Sequence, residues 1–527
     1  MGEADLPLLA LMIAVAGLGM LSRRVGTPYP ILLVLGGLIL GYVPGMPTLP
    51  LPPEQVLLLF LPPLLYAAGF GSSPRELRTE AHGIVRLAVG LTLATMVAVA
   101  ATARAVVGGM SWPVALTLGA IVAPTDPLAA TVIARRLGVD RRVITLIEGE
   151  GLTNDATALV AYRITVAAAL GASVTAGGVA VQFLLGIAGG VAVGLAVGWL
   201  ATRIRRLVSD PLVETTMALV TAYAAYLPAQ ALGVSGVLAA VTAGLYVGWQ
   251  APTIVSASTR LVGTAFWDVL VYLLNAVLFI LIGLQLHPIL TQVSGRPPSH
   301  LLAVTLLISL VVIGVRIGWH FTVPYLIDVF DRRGGRPGRR PSAKQLLVVA
   351  WSGMRGAVSL TVALALPTGT ATTGPFPDRD LILFVTFGVV FITLVLPGLT
   401  LPALIRLLRV RDTGAEAREE ARARLAATEA ALARLAELAA QDWVGEDTVE
   451  RLERVFHLRR RRLRAQAGLA HDEETAEHSR AYRRLIGELI DAQRDALISM
   501  RDRGEIGSGT LHRIERDLDL EESRLEV

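Results

Sequence analysis

The chain has 527 residues, of which 53% are hydrophobic and 17% are charged, with no cysteine and a formal net charge of +5. Soluble domains usually carry about 25% charged residues, so this composition points away from an ordinary soluble protein. The lack of cysteine excludes disulfides, thiolate metal sites, iron–sulfur clusters and cysteine nucleophiles. Positions 411–527 carry 21 basic and 26 acidic residues, a net charge of −5. A mildly acidic soluble part predicts no nucleic-acid partner.

Long apolar runs recur along the first 410 residues, each near the roughly 20 residues that a membrane-spanning helix requires. They predict an all-α polytopic membrane protein with about 13 transmembrane helices at positions 1–410. Positions 411–527 have helical patterning without such runs and predict a cytoplasmic helical tail. The predicted spans are Leu6–Leu21, Pro28–Val43, Gln55–Phe70, Val85–Val107, Trp112–Ile133, Val143–Leu170, Val179–Ile204, Leu212–Ala231, Gly236–Trp249, Phe266–Leu286, Leu301–Leu326, Gln345–Leu366 and Leu381–Leu408.

Basic residues alternate between the loops that join these spans. The loops after odd-numbered spans hold most of them, including Arg135, Arg205, Arg260 and the cluster at positions 332–340. Since cytoplasmic loops carry an excess of Lys and Arg, this pattern predicts an external N-terminus and a cytoplasmic C-terminus. We therefore expect a multi-pass protein of the cytoplasmic membrane, with the lipid bilayer as its surroundings.

Two predicted spans contain helix-breaking residues near their centres. The fifth span contains Pro124-Thr125-Asp126-Pro127, and the twelfth contains Gly353-Met354-Arg355-Gly356. Proline removes a backbone donor and clashes with the preceding turn, so we expect the fifth helix to unwind there. Interrupted helices at corresponding positions of two halves typically mark the binding site of a transporter. Because spans five and twelve cross in opposite directions, the pattern predicts two inverted six-span halves joined by span seven.

The sixth span carries Glu150 and Asp155, although ionisable side chains in hydrocarbon are costly and face a cavity, a partner or a transported ion. Measured at 1.5 Å per residue from the cytoplasmic end of each span, Asp155 lies about 20 Å deep, Asp126 about 13 Å and Arg355 about 16 Å. In a bilayer whose hydrocarbon core is roughly 30 Å thick, all three groups lie near the midplane. We therefore predict that Asp155, Asp126, Thr125 and exposed backbone carbonyls bind a monovalent metal cation. A carboxylate holds either a cation or a proton, which favours exchange of one for the other.

Arginine does not deprotonate in proteins, so Arg355 is predicted to be a fixed charge with Glu150 as its partner. This pair has a purely structural interpretation as a salt bridge between two helices. Asp155 and Asp126 have the alternative interpretation of buried, hydrogen-bonded braces. Arg316 also falls within a span, and we assign it no role in transport.

These motifs, taken together, resemble those of the sodium/proton exchanger family of monovalent cation–proton antiporters. The resemblance implies a dimerisation bundle and a core bundle with two crossed, interrupted helices, whose elevator-like movement gives alternating access. It also implies a homodimer and a function in pH and salt homeostasis. The motifs are Glu150-Gly151-Leu152-Thr153-Asn154-Asp155, Thr125-Asp126-Pro127, Gly353-Met354-Arg355-Gly356-Ala357-Val358-Ser359, Phe266-Trp267, Gly283-Leu284-Gln285-Leu286 and Leu399-Thr400-Leu401-Pro402.

By the same resemblance, Asp155 would carry the cation and the proton, with Asp126, Thr125 and Asn154 at the ion site. Glu150 and Arg355 would stabilise the core. Family members with asparagine before the aspartate are generally electroneutral, so Asn154 implies one proton per cation. Two positions depart from the family pattern. Gly151 replaces the usual serine, and Ala67 stands where many relatives have an acidic residue.

The leading hypothesis is therefore an antiporter that exchanges Na⁺ or Li⁺ for H⁺, and K⁺/H⁺ exchange is the alternative. A cation channel is a second class and would show uncoupled, voltage-driven flux. The sequence contains no His-Glu-x-x-His pair, and its histidines do not cluster with the aspartates, so we do not predict an enzyme. We expect no cofactor. A sensor would use the tail but would leave the buried carboxylates unexplained.

Overall fold

The computed structural model describes residues 5–43, 53–172, 175–293, 296–330, 342–368, 376–410, 414–441, 443–469, 473–503 and 505–525. Throughout these residues, every regular element is a helix, which confirms the predicted all-α class. The basic cluster at positions 332–340 lies outside the described residues. The chain forms two compact units, Met1–Arg411 and Asp412–Val527.

The first unit contains helices α1 to α18, with a π-helical segment, Arg86–Leu91, between α5 and α6. They are α1 Asp5–Val25, α2 Tyr29–Leu40, α3 Pro53–Gly71, α4 Pro74–Thr79, α5 Ala81–Val85, α6 Thr92–Val106, α7 Trp112–Val122, α8 Leu128–Arg136, α9 Arg141–Ala169, α10 Ala176–Arg205, α11 Pro211–Ala231, α12 Gly236–Ile254, α13 Ala257–Leu284, α14 Leu286–Gln292, α15 Pro298–Phe330, α16 Ala343–Trp351, α17 Ala357–Leu364 and α18 Arg379–Leu408.

Six helical stretches of the described residues are long and apolar enough to cross a membrane, by length and composition alone. Each of them overlaps a predicted span. The number of thirteen spans and the inverted repeat stay predictions. The six stretches are Ala81–Val106, Gly177–Arg205, Gly236–Ile254, Ala257–Thr291, Pro298–Val323 and Arg379–Leu408.

Several helices begin where a short polar side chain satisfies the free N–H groups of the first turn. The Asp140 carboxylate accepts a hydrogen bond from the Arg142 N–H at 2.9 Å, at the start of α9. Asp210 accepts from the N–H groups of Leu212 and Val213, both at 2.9 Å, at the start of α11. Because these donors have no partner within the helix, each cap fixes where its helix begins.

Glycine allows α3 and α12 to pack with their backbones in contact. A Cβ atom added at Gly244 would overlap the carbonyl oxygen of Tyr66, and one added at Gly248 would overlap that of Phe70. Helices in membranes pack through van der Waals contact, and small residues permit this close approach. The pair α3 and α12 forms a continuous wall beside the site described below.

The described part of the second unit contains four helices, of which α19 packs against α20 and α21 against α22. Arg494 of α21 donates hydrogen bonds to Asp519 at 2.5 Å and Glu522 at 2.6 Å, both on α22. The four helices are α19 Ala415–Leu438, α20 Glu446–Gln466, α21 Glu473–Asp502 and α22 Ser508–Leu525.

Candidate cation- and proton-binding site

The first predicted break separates α7, which ends at Val122, from α8, which begins at Leu128. Pro127 has no N–H group to continue the helical hydrogen bonds across this segment. The N–H of Asp126 instead donates to the carbonyl oxygen of Met354 at 2.8 Å. The Asp126 carboxylate accepts from the Leu128 N–H at 2.9 Å. Asp126 therefore opens α8 and connects the first break to the second.

The second break lies between α16, which ends at Trp351, and α17, which begins at Ala357. Arg355 is the largest side chain in this segment and is 1% exposed. Its Nε donates to the carbonyl oxygen of Val122 at 3.2 Å, and its Nη1 donates to that of Gly353 at 2.5 Å. Both carbonyl groups are left free by interrupted helices, so Arg355 supplies donors that the backbone has lost.

Glu150 pairs with Arg316 of α15 and not with Arg355. The Arg316 Nη1 contacts Glu150 Oε1, and Nη2 donates to Oε2 at 2.9 Å, with both side chains 3% exposed. The predicted direct pair between Glu150 and Arg355 is therefore wrong. The physical reason is that the Arg355 guanidinium donates to backbone carbonyl oxygens. Arg316 instead presents two N–H donors along one planar edge to the carboxylate.

Arg316 also holds the end of α16, because its Nε donates to the carbonyl oxygen of Ala350 at 2.9 Å and Nη2 to that of Val349 at 3.1 Å. A Cβ atom at Gly353 would lie 2.7 Å from the Arg316 Cζ, so only glycine leaves room for this side chain. Sequence reasoning missed this role. Depth in the membrane could have indicated the pair. Arg316 lies about 15 Å along its helix from the predicted cytoplasmic end of its span, and Glu150 lies at a similar depth, about 12 Å from Arg142.

Thr125 and Asn154 connect the first break to α9. The Thr125 hydroxyl donates to Glu150 Oε1 at 2.9 Å and accepts from the Asn154 amide, also at 2.9 Å. The same amide donates to the Thr125 carbonyl oxygen at 3.0 Å. Both side chains are buried. Thr125 thus lies beside the two aspartates, but its hydroxyl and carbonyl oxygens are already engaged within the protein.

A cavity of about 800 Å³ reaches both aspartates. Asp126 and Asp155 line it together with Thr125 and residues of α3, α12 and α13. Both carboxylates are half-buried, and their negative charges repel each other. Among the described residues, none donates a hydrogen bond to Asp155, and no group of three His, Cys, Asp or Glu residues could hold a metal ion. Both carboxylates can therefore be reached by water and by small ions that enter the cavity.

The two departures from the family pattern both lie in this cavity. Gly151 and Ala67 are among its lining residues. A Cβ atom at Gly151 would overlap the ring of Pro127, so the first break packs directly on the backbone of α9. Serine at this position would push the break away from α9.

Replacing Gly356 with alanine is expected to weaken cation binding about tenfold. A Cβ atom here would overlap Asp126 Oδ2 and lie 2.5 Å from the Asp126 Cβ, and overpacking of this kind typically costs about 1–3 kcal/mol. The measurement is the KM for the cation in proteoliposomes. Gly314→Ala is the matched control, since a Cβ at Gly314 meets nothing within 4 Å. Equal KM values for both variants would contradict the predicted overlap.

Comparison with known proteins places the chain in a family. The model of the family described as "Sodium/hydrogen exchanger, transmembrane" matches residues 9–407. The chain is 37% identical over 523 residues to an uncharacterised Na⁺/H⁺ exchanger of Mycobacterium tuberculosis, covering 98% of this chain and 95% of the relative. It is 34% identical over 447 residues to the Na⁺/H⁺ antiporter ApNhaP of Aphanothece halophytica, covering 82% of this chain and 80% of the relative.

The fold is similar to that of the sodium proton antiporter MjNhaP1 from Methanocaldococcus jannaschii, with a TM-score of 0.58 and 20% identity. This likeness covers 77% of the chain and all of MjNhaP1. Together with the apolar helices, the matches identify a multi-pass membrane transporter. The chain belongs to the sodium/hydrogen exchanger family of cation/proton antiporters.

Proposed function

We propose that this protein exchanges Na⁺ for H⁺ in an electroneutral cycle, with Asp155 as the group that carries both ions. The observation that supports this proposal is the cavity of about 800 Å³, which reaches Asp155 and Asp126 beside both broken helices. Asp155 receives no hydrogen bond from the described residues, so its carboxylate is available to an incoming ion.

Competition between the two ions provides the coupling. With Asp126 and Asp155 both negative in one cavity, binding of one positive charge relieves their repulsion. A proton or a cation gives the same relief, but Asp155 cannot hold both. Asp126 Oδ1 accepts a hydrogen bond from the Leu128 N–H, which holds the carboxylate in place. Oδ2 accepts none from the described residues and is available to the ion.

Alternating access follows from which helices are tied together. The bonds of Asp126 to Met354 and of Arg355 to Val122 join the two breaks. Arg316 of α15 binds both Glu150 of α9 and the end of α16, so α7, α9, α15 and α16 form one core. We propose that this core moves against α3, α12 and α13, which contribute the opposite wall of the cavity. Lining residues at helix ends predicted to be cytoplasmic, such as Arg135 and Arg260, support a cavity that opens to the cytoplasm.

K⁺/H⁺ exchange is the second candidate. Ala67 lines the cavity where many relatives have an acidic residue, and the Thr125 oxygens are engaged by Glu150 and Asn154. With so few free protein ligands, water would complete the coordination shell, and a loose shell separates Na⁺ from K⁺ weakly. The external N-terminus, the cytoplasmic tail and the homodimer stay predictions.

The test is cation-induced proton movement in proteoliposomes that contain the purified protein and a pH-sensitive dye. Addition of Na⁺, Li⁺ or K⁺ after acid loading is expected to drive proton efflux, with Na⁺ and Li⁺ more effective than K⁺. Liposomes without protein are the control. A larger response to K⁺ would favour K⁺/H⁺ exchange. Cation flux without coupled proton movement would contradict antiport and favour a channel.

The exchange rate is expected to be independent of membrane potential. Asn154 is neutral and bonded to Thr125, and Lys344, the single lysine of the chain, lies at the exposed start of α16. Both features support the exchange of one proton for one cation. The measurement is the initial Na⁺/H⁺ rate under a potential of about 100 mV set with K⁺ and valinomycin, which changes the energy of one transferred charge by about 2.3 kcal/mol. A rate that changes with the sign of the potential would contradict electroneutral exchange.

A further inference from the structure

The side of the cavity opposite the proposed core carries a buried arginine that forms no ion pair with the described residues. Arg205, the last residue of α10, lines the cavity and is 4% exposed. Its Nη2 donates to the backbone oxygen of Glu214 at 3.2 Å. Its Nε and Nη1 have no partner in the part of the chain that the structure describes. Because arginine stays protonated, this is a permanent positive charge beside the proposed ion route.

Arg205 has two buried polar neighbours, Glu214 and Tyr66, and forms an ion pair with neither among the described residues. Glu214 is buried, but it is not among the lining residues, and its Oε2 has no partner among the described residues. The buried hydroxyl of Tyr66 is neutral and likewise without a partner. Arg205 lines the cavity and Glu214 does not, so the positive charge is the nearer of the two to the proposed ion route.

Apart from Asp126 and Asp155, the other charged residues that line the cavity are two basic and two acidic side chains, whose charges balance. Arg135 and Glu148 form an ion pair at 2.7 Å. Arg260 and Asp268 both belong to α13 and also line the cavity, and Arg260 donates to the carbonyl oxygen of Val255 at 2.6 Å. Away from Asp126 and Asp155, Arg205 thus gives the cavity an excess of one positive charge.

We propose that Arg205 lowers the apparent affinity of the site for cations that enter through the cavity, because its charge repels positive ions. This inference rests on the proposed cation/proton exchange. A fixed charge in a cavity with low-dielectric walls acts over longer distances than it would in water, and it changes the local concentration of ions. Arg205 lowers the local concentrations of Na⁺ and H⁺ by the same factor, because both ions carry one positive charge.

An equal effect on both ions gives a characteristic dependence on pH. At alkaline pH few protons compete, so the apparent KM for Na⁺ is raised by the full factor. At acid pH the apparent KM depends on the ratio of the Na⁺ and H⁺ affinities, and the common factor cancels. A residue that only supports the packing of α10 and α11 would not produce this pattern.

The test compares Arg205→Gln with the charge-preserving control Arg205→Lys in everted membrane vesicles, which expose the cytoplasmic side to added Na⁺. We expect Arg205→Gln to lower the KM for Na⁺ at alkaline pH by a factor on the order of 3 to 10. The difference should disappear at acid pH and shrink with added choline chloride. Arg205→Lys should behave as the wild type. Thermal stability of both purified variants shows whether they fold.

Each other outcome has a definite meaning. A KM in Arg205→Gln equal to that of the wild type at alkaline pH, with exchange intact, would overturn the role of Arg205 alone. The same shift in Arg205→Lys, or a shift that persists at acid pH, would also overturn it, because the effect would then come from packing and not from charge. Absence of any exchange in wild-type vesicles would overturn the proposed function, and this inference with it.

Discussion

Replacing Asp155 with asparagine is expected to reduce cation-induced proton movement to the level of liposomes without protein. The amide has nearly the same shape as the carboxylate but cannot hold a proton or neutralise a cation. Asp155 is half-buried in the cavity and receives no hydrogen bond from the described residues, so its loss should leave the fold intact. The measurement is dye-monitored proton movement after addition of Na⁺, together with the thermal stability of the purified variant.

Glu148→Gln is the matched control for this experiment, because Glu148 also lines the cavity. Its carboxylate is paired with Arg135 at 2.7 Å and lies nearer the predicted cytoplasmic surface. We expect this variant to retain exchange close to that of the wild type. Exchange that persists in Asp155→Asn would contradict the assignment of Asp155 as the carrier. Loss of exchange in both variants would indicate that the net charge of the cavity matters and not this one carboxylate.

The two breaks could be predicted from the sequence because their causes are local. Pro127 cannot donate a backbone hydrogen bond, and glycine at positions 353 and 356 weakens a helix. The structure interrupts both helices at these residues. Depth along each helix likewise brought Asp126 and Asp155 to one level, since it depends only on the rise per residue. Both carboxylates line the same cavity.

The partner of Glu150 could not be chosen by the same reasoning. Arg316 and Arg355 lie at similar depths, and depth alone does not say toward which helix a side chain points. The choice depends on tertiary packing. Gly353 leaves the space that Arg316 fills, while the interrupted backbone offers Arg355 the carbonyl oxygen of Val122. Neither feature is visible before the helices are placed against each other.

Arg205 shows a second limit of loop-based reasoning. In the sequence it counts among the basic residues that orient the protein in the membrane. In the structure it is the last residue of α10, 4% exposed, and faces the cavity. A basic residue at a helix end can serve topology and the ion route together, and only the position of the cavity separates these roles.

The Glu150–Arg316 pair is expected to show strong energetic coupling, whereas Glu150 and Arg355 are expected to show little. Removing one partner of a buried ion pair leaves an uncompensated charge and typically costs about 3–5 kcal/mol. Glu150→Gln and Arg316→Gln should each lower the free energy of unfolding by an amount of this order. The double variant should cost less than the sum of the two, since no lone charge remains.

The measurement is a double-mutant cycle of unfolding in mixed detergent micelles, with the cycle of Glu150→Gln and Arg355→Gln as the control. Among the described residues, Arg355 donates only to backbone oxygens, so its loss should add to that of Glu150 with a coupling well below that of the first cycle. Strong coupling between Glu150 and Arg355, with weak coupling to Arg316, would contradict the pairing in the structure. It would restore the arrangement that charge and depth predict from the sequence. Because Arg316 also holds the end of α16, coupling in the first cycle would tie the second break energetically to α9 and support movement of the core as one body.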